Sequence, residues 1–238
     1  MSMREQGLAR LSEIRLRKND HDYIVMKHLT DDLRNTIPKY ATGAVLDIGC
    51  GNKPYESLFQ DVSTSYTGCD VIQSSQNKVD VICEAVNLQF ADGSFDTAFS
   101  TQVIEHVEDP FKMLSEANRV LRSGGIIIVS APFCWELHEQ PYDFYRYSKY
   151  GLKAMFNKHG FEVLELKANG GKWAAIFQMN LNIIYSTFRK KGILRRIIKV
   201  CFLHLRFTTI FNKIGCWMDK KFYDELLTLN YVIIGRKI

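Results

Sequence analysis

The chain has 238 residues, 46% apolar and 24% charged, with 31 Lys and Arg against 26 Asp and Glu for a net charge of +5. This is an ordinary globular profile and excludes disordered, collagen-like and disulfide-scaffold chains. The charge is unevenly held: residues 171–221 contain eleven Lys and Arg and one acid, a net +10, which leaves −5 for the rest.

Residues 1–20 include Arg4, Arg10, Arg15 and Arg17 and lack the apolar core of a leader, so neither a signal peptide nor a membrane span is expected there. A reducing, cytoplasmic location follows, with attachment to the inner face of the membrane as an option. The six cysteines form no C-x-x-C pair and have no histidine at ligand spacing, so packing thiols are expected and no metal.

Apolar positions at helical spacing over residues 3–36 predict two or more N-terminal helices, with a break near Asn19-Asp20 and an end at Pro38. Ala44–Ile48 is a short apolar run ending at Gly49-Cys50-Gly51, the pattern of a buried parallel strand entering a tight turn, and a helix over about 54–59 should follow. Strands are then expected at 65–71, 79–85 and 95–101. Asp109-Pro110 starts a helix that stops before Gly124-Gly125, and Ile126–Ala131 is the fifth strand. Ser148 caps a helix through Lys158, Gly160 stops it, and 161–166 is the sixth strand. Residues 173–223 read as helical and 227–234 as a last strand.

The expected fold is therefore α/β: a three-layer, doubly wound, mostly parallel seven-stranded sheet of Rossmann-like type, with N-terminal helices and a late helical insertion. Residues 1–238 form one domain on this reading: N-terminal helices over 1–40, a core over 42–170, a basic amphipathic insertion over 171–223 and the last strand over 224–238.

The turn after the first strand has an acid, Asp47, two residues before its first glycine and lacks the third glycine of a dinucleotide fingerprint. It would attract a cation rather than a pyrophosphate. Val45-Leu46-Asp47-Ile48-Gly49-Cys50-Gly51, Asp70 at the end of the second strand, Cys83 to Phe90, and Thr101 to Pro110 together resemble the class I S-adenosylmethionine-dependent methyltransferases, of the type 11-like family. The likeness covers roughly residues 42–166. It implies S-adenosyl-L-methionine as cofactor: Asp47, Gly49, Cys50 and Gly51 at its amino-acid end, Asp70 at the ribose, Glu84 with Ala85 at the adenine, and Val71 and Gln102 as further cofactor contacts. Asn52 and Glu84 depart from the common pattern, where glycine and aspartate stand.

Methyl transfer needs alignment and, for a hydroxyl acceptor, a base. The segment after the fifth strand, Ala131–Tyr147, supplies His138 and Asp143 as candidate catalytic groups, with His106 in a positioning role. Trp135, Tyr142, Tyr145 and Arg146 are candidate substrate contacts. An alternative for the same residues is a turn capped by His138 and held by an Asp143–Arg146 ion pair.

Residues 193–211 predict one amphipathic helix, with Leu194, Ile197, Ile198, Cys201, Phe202 and Leu205 on one face and Arg195, Arg196, Lys199 and Arg206 on its flank. Four cations exclude a comfortable span. A membrane surface met through residues 189–206, or a helical cap on the domain, fits better than nucleic acid. The expected activity is O-methylation of a small-molecule or lipid-linked acceptor; an RNA methyltransferase and a non-catalytic, cofactor-binding partner subunit are the alternatives.

Overall fold

The computed structural model describes residues 13–187, 193–204 and 206–238. The elements in chain order are α1 (Tyr23–Tyr40), β1 (Gly43–Ile48), a 3-10 turn (Glu56–Phe59), β2 (Ser63–Asp70), β3 (Val81–Ile82) and β4 (Phe95–Thr101). A second 3-10 turn (Ile104–His106), α2 (Pro110–Val120), β5 (Leu121–Pro132), α3 (Lys149–Lys158) and β6 (Phe161–Asn169) follow. The remainder is α4 (Lys172–Thr187), α5 (Ile193–Lys199), a π turn (Val200–His204), α6 (Phe207–Lys221) and β7 (Asn230–Lys237).

The seven strands form one sheet in the order β3-β2-β1-β4-β5-β7-β6, and the β1–β2, β1–β4, β2–β3 and β4–β5 pairs are parallel. Parallel strands covered on both faces are apolar throughout, and Val45, Leu46, Ile48, Ala98, Phe99, Ile128 and Val129 are at most 1% exposed. Strand order reverses between β1 and β4, so the carboxyl ends of these strands open a crevice suited to a ligand.

Local signals place several elements where the sequence predicts them. Asp109 accepts the Lys112 N–H at 3.0 Å with Pro110 at the first helical position, and α2 buries Met113, Leu114, Ala117 and Val120. Ser148 accepts the Gly151 N–H at 3.2 Å and starts α3.

Other expectations are corrected. Pro38 lies inside α1, which runs on to Tyr40, because a proline so near a helix end removes only one bond of the last turn. The helix expected at 54–59 is a single 3-10 turn. The third strand is two residues long, since after Cys83 donates to the Asp70 carbonyl the chain turns, closed by Asn87 N–H to Glu84 O. β5 begins directly after α2, but its ladder skips from Phe95↔Leu121 to Thr97↔Ile126, so Arg122–Gly125 bulge out and regular pairing starts at Ile126. The last strand is displaced to 230–237, because the Thr228 hydroxyl is held by the Asn169 and Asn230 carbonyls ahead of it. Of the predicted N-terminal helices, Leu8 and Leu11 lie outside the described residues, and 13–22 hold turns rather than a helix.

By internal contacts the chain divides into two compact units, one within Met1–Ile14, Leu33–Lys167 and Tyr231–Ile238, the other of Arg15–Asp32 and Ala168–Asn230. In the second, buried polar side chains hold backbone. Gln178 and Asn212 bind the carbonyls of His21, Lys18 and Asp20, and Asp219 accepts the Gly171 and Ala174 N–H groups at 3.0 and 2.9 Å.

The single amphipathic helix expected over 193–211 is corrected. It breaks at the π turn and at Arg206, whose φ of +58° is left-handed, and Thr208 Oγ1 donates to the Phe202 carbonyl across the break. The side chains of Leu194, Arg195 and Ile198, together with residues 189–192 and 205, lie outside the described residues. Among the described residues no helix is long and apolar enough to cross a membrane.

Candidate active site

The turn after β1 is built around backbone. Gly49 and Cys50 both donate to the Cys69 carbonyl, at 2.8 and 3.0 Å, and Gly51 N–H donates to Asp70 Oδ2 at 3.1 Å. Gly49 has φ +76°, and a Cβ there would stand 2.4 Å from Val103 Cγ2, so only glycine fits. Asp70 Oδ1 accepts the Val71 N–H at 2.7 Å, so one carboxylate ties the turn to the end of β2.

A cleft of about 440 Å³ opens at these strand ends, within the usual range for a small-molecule site. Of the predicted cofactor residues it brings together Gly49, Asp70, Val71, Glu84 and Ala85, and His106 and Tyr142 line it as well. Asp47, Cys50, Gly51 and Gln102 do not line it. Cys50 is buried and packs under Gly68, and burial pushes its thiol up. The Gln102 amide donates to Ser130 Oγ at 3.0 Å. Sequence reasoning did not single out Lys112 and Glu108, which also line the cleft; the signal lay on either side of the Asp109 cap, Glu108 before it and Lys112 in the first turn of α2. Cys83 lines it too, and a hydrogen bond from the Cys69 thiol draws its pKa down.

Asp47 is 3% exposed and accepts the Tyr66 hydroxyl at 2.7 Å. Burial raises its pKa to about 7, and the Tyr66 bond offsets this only in part. Between about pH 4 and 7 the folded chain holds a proton that the unfolded chain has released, so this group's contribution to stability falls as pH rises through that window. The effect is on the order of 4 kcal/mol. In urea unfolding, wild type should therefore lose stability relative to Asp47→Asn from pH 4 to 7 and keep a constant difference above it; parallel curves would remove this account.

The segment after β5 folds over the turn at Ile104–His106. Phe144 N–H donates to the Glu105 carbonyl at 2.9 Å, and Tyr147 OH to the Ile104 carbonyl at 2.9 Å. Glu105 is wholly buried; no other residue donates to its carboxylate oxygens, and burial, offset only in part by its own backbone N–H, pushes its pKa up to about 8. The His106 and His138 rings meet edge to face, 4.7 Å between centroids. Burial and the neighbouring His106 lower the pKa of His138.

Arg146 as a substrate contact is corrected, since all five of its N–H groups are used inside the segment. They go to both Asp143 oxygens at 2.6 and 2.7 Å and to the carbonyls of Trp135, Glu136 and Tyr145. Asp143 is equally committed. Its side chain is 1% exposed, and although burial pushes its pKa up, bonds from Arg146 and the His138 N–H outweigh this and hold it at about 2. It can orient His138, whose Nδ1 is 3.3 Å away, but not reach a substrate. Trp135 is half-buried and outside the cleft lining, and Tyr145 OH donates to the Glu108 carbonyl.

The strand order and this cleft define the fold of the class I S-adenosylmethionine-dependent methyltransferases. Residues 46–129 match the family described as a methyltransferase domain. The chain is 31% identical over 121 residues to a tRNA (carboxymethyluridine(34)-5-O)-methyltransferase of Xenopus tropicalis, covering 46% of this chain and 18% of that one. It is 30% identical over 112 residues to the 27-O-demethylrifamycin SV methyltransferase of Amycolatopsis mediterranei, 41% of each. The chain thus spans less than two thirds of the length of these relatives. A SAM-dependent methyltransferase from Archaeoglobus fulgidus shares the fold, with a TM-score of 0.57, 17% identity, and 89% and 94% of the two chains covered.

Proposed function

We propose that the chain transfers the methyl group of S-adenosylmethionine to an oxygen of a small or lipid-linked acceptor. The observation that carries this reading is the cleft, where Asp70 and Glu84 stand at the ends of adjacent strands beside Gly49. Asp70 would take the ribose hydroxyls and Glu84 the adenine amine. Asp47, buried behind the glycine turn and protonated up to about pH 7, would become charged there once a nearby sulfonium offsets its burial. The sulfonium carbon is already activated, so the protein need only align the acceptor and take its proton. His138, oriented by Asp143, would be that base, with His106 and Tyr142 bounding the acceptor. The names of both relatives above specify transfer to oxygen, which favours oxygen over nitrogen or carbon.

A lipid-linked acceptor at the inner face of a membrane is favoured by one surface of the second unit. On α6, Phe207, Ile210, Ile214 and Trp217 are spaced as a single helical face and are 43–57% exposed, with Lys213, Lys220 and Lys221 on the same helix. Apolar side chains with a Trp and flanking cations are what an interfacial helix presents to anionic lipid.

The deciding experiment is incubation of the chain and methyl-labelled S-adenosylmethionine with cell extract, followed by separation into lipid, RNA and small molecules. Label in lipid or small molecules supports the proposal. Label in RNA replaces it with the RNA methyltransferase reading, and cofactor binding with no labelled pool replaces it with a non-catalytic subunit.

A further inference from the structure

Glu105, His106 and His138 each offer one ligand atom, and these atoms all lie within 4.8 Å of one another. Glu105 is fully buried and no other residue donates to its carboxylate oxygens, a costly arrangement for the charged form unless something else pairs with it. Both imidazoles have acceptors at the same nitrogen. His106 Nδ1 is 2.6 Å from the Tyr142 carbonyl, and His138 Nδ1 is 3.3 Å from both the Glu136 carbonyl and Asp143 Oδ2. Arg146 Nη2 is also 3.5 Å from His138 Nδ1, but its protons go to Glu136 and Asp143 at 2.9 and 2.7 Å, so the closer acceptors favour the proton on Nδ1 and Nε2 as the ligating atom, as outer partners do for metal-bound histidines.

His106 Nε2 is already 3.8 Å from Glu105 Oε1. Two ligands on a tetrahedral ion with bonds of about 2.0 Å are separated by about 3.3 Å, so a small side-chain movement closes the site. The charges acting on Glu105 come from Asp143, Glu139 and Arg146. With Glu105 ionised the group carries a net −2, which a divalent cation neutralises.

We propose that Glu105, His106 and His138 bind one divalent first-row transition metal ion of the zinc type. Two imidazoles and a carboxylate suit such an ion and leave a coordination position open. His106 also lines the cleft, so the ion borders the space where methyl transfer is placed. The cysteine spacing bears only on thiolate sites. This set joins a 3-10 turn to a histidine far along the chain, so no local motif announces it. The site rests on these side chains alone and not on the methyl-transfer reading; when it is filled, His138 is a ligand rather than a free base.

The test is titration of the chelator-stripped full chain with Co²⁺ alone, read by its visible ligand-field absorption, followed by displacement with Zn²⁺. One ion per chain is expected, bound at least about 10-fold more weakly by His138→Ala and by Glu105→Gln, and unchanged in His159→Gln. Absence of the absorption band, or equal binding by wild type and His138→Ala, overturns the proposal. Circular dichroism checks each variant's fold. The partly exposed His138 keeps the test valid if Glu105→Gln fails to fold.

Discussion

Asp70→Ala is expected to weaken S-adenosylmethionine binding about 100-fold in calorimetry. A carboxylate accepts up to about four hydrogen bonds, so one group can hold the Gly51 and Val71 N–H groups and still take ribose hydroxyls from the cleft. Two charge-assisted bonds at about 1.5 kcal/mol each amount to roughly 3 kcal/mol, or two factors of ten in Kd. Asp70→Asn keeps one good acceptor and should lose about half of that free energy, so about 10-fold. An alanine variant that binds within about 2-fold of wild type would dismiss Asp70 as the ribose acid, whatever the acceptor proves to be.

A large loss of thermal stability is expected from a single substitution in the other unit. Asp219 on α6 is 2% exposed and its two oxygens accept the Gly171 and Ala174 N–H groups, so a carboxylate from a distant helix caps the start of α4. Gly171 permits the approach, since a Cβ there would stand 2.8 Å from Asp219 Oδ1. Asp219→Ala removes two ionic hydrogen bonds and strands two backbone donors, at a cost of about 3 kcal/mol. For a chain of this size that lowers Tm by roughly 10 °C. Asp219→Asn, with one acceptor, should fall between; a drop in Tm of under about 2 °C for alanine would contradict the cap.

What the sequence made legible divides along physical lines. The predicted bounds of β4 and α3 match, and those of α3 follow from neighbouring residues, Ser148 before it and Gly160 after it. The placement of β7 depends on Thr228 bonding to Asn169, a contact between residues 59 apart in the chain, and no local pattern encodes it. In the cleft, Asp70 and Glu84 could be read as acids at strand ends. Glu105 could not, because its burial depends on residues 133–147 folding over it. Arg146 misled for the converse reason: a guanidinium among aromatics suggests a substrate contact, whereas here its donors are consumed by its own segment. The apolar stripe of α6 was hidden by the assumption of one continuous helix through Arg206.

Cys83, on the wall of the cleft with its thiol made more acidic by Cys69, gives the protein an internal gauge of occupancy. A thiolate alkylates far faster than a thiol, and a molecule filling the cleft would shield it. Because Cys83 is buried and other cysteines are more exposed, its alkylation by iodoacetamide would be followed by mass at that residue, and a slower rate with the cleft filled would report occupancy with no acceptor identified.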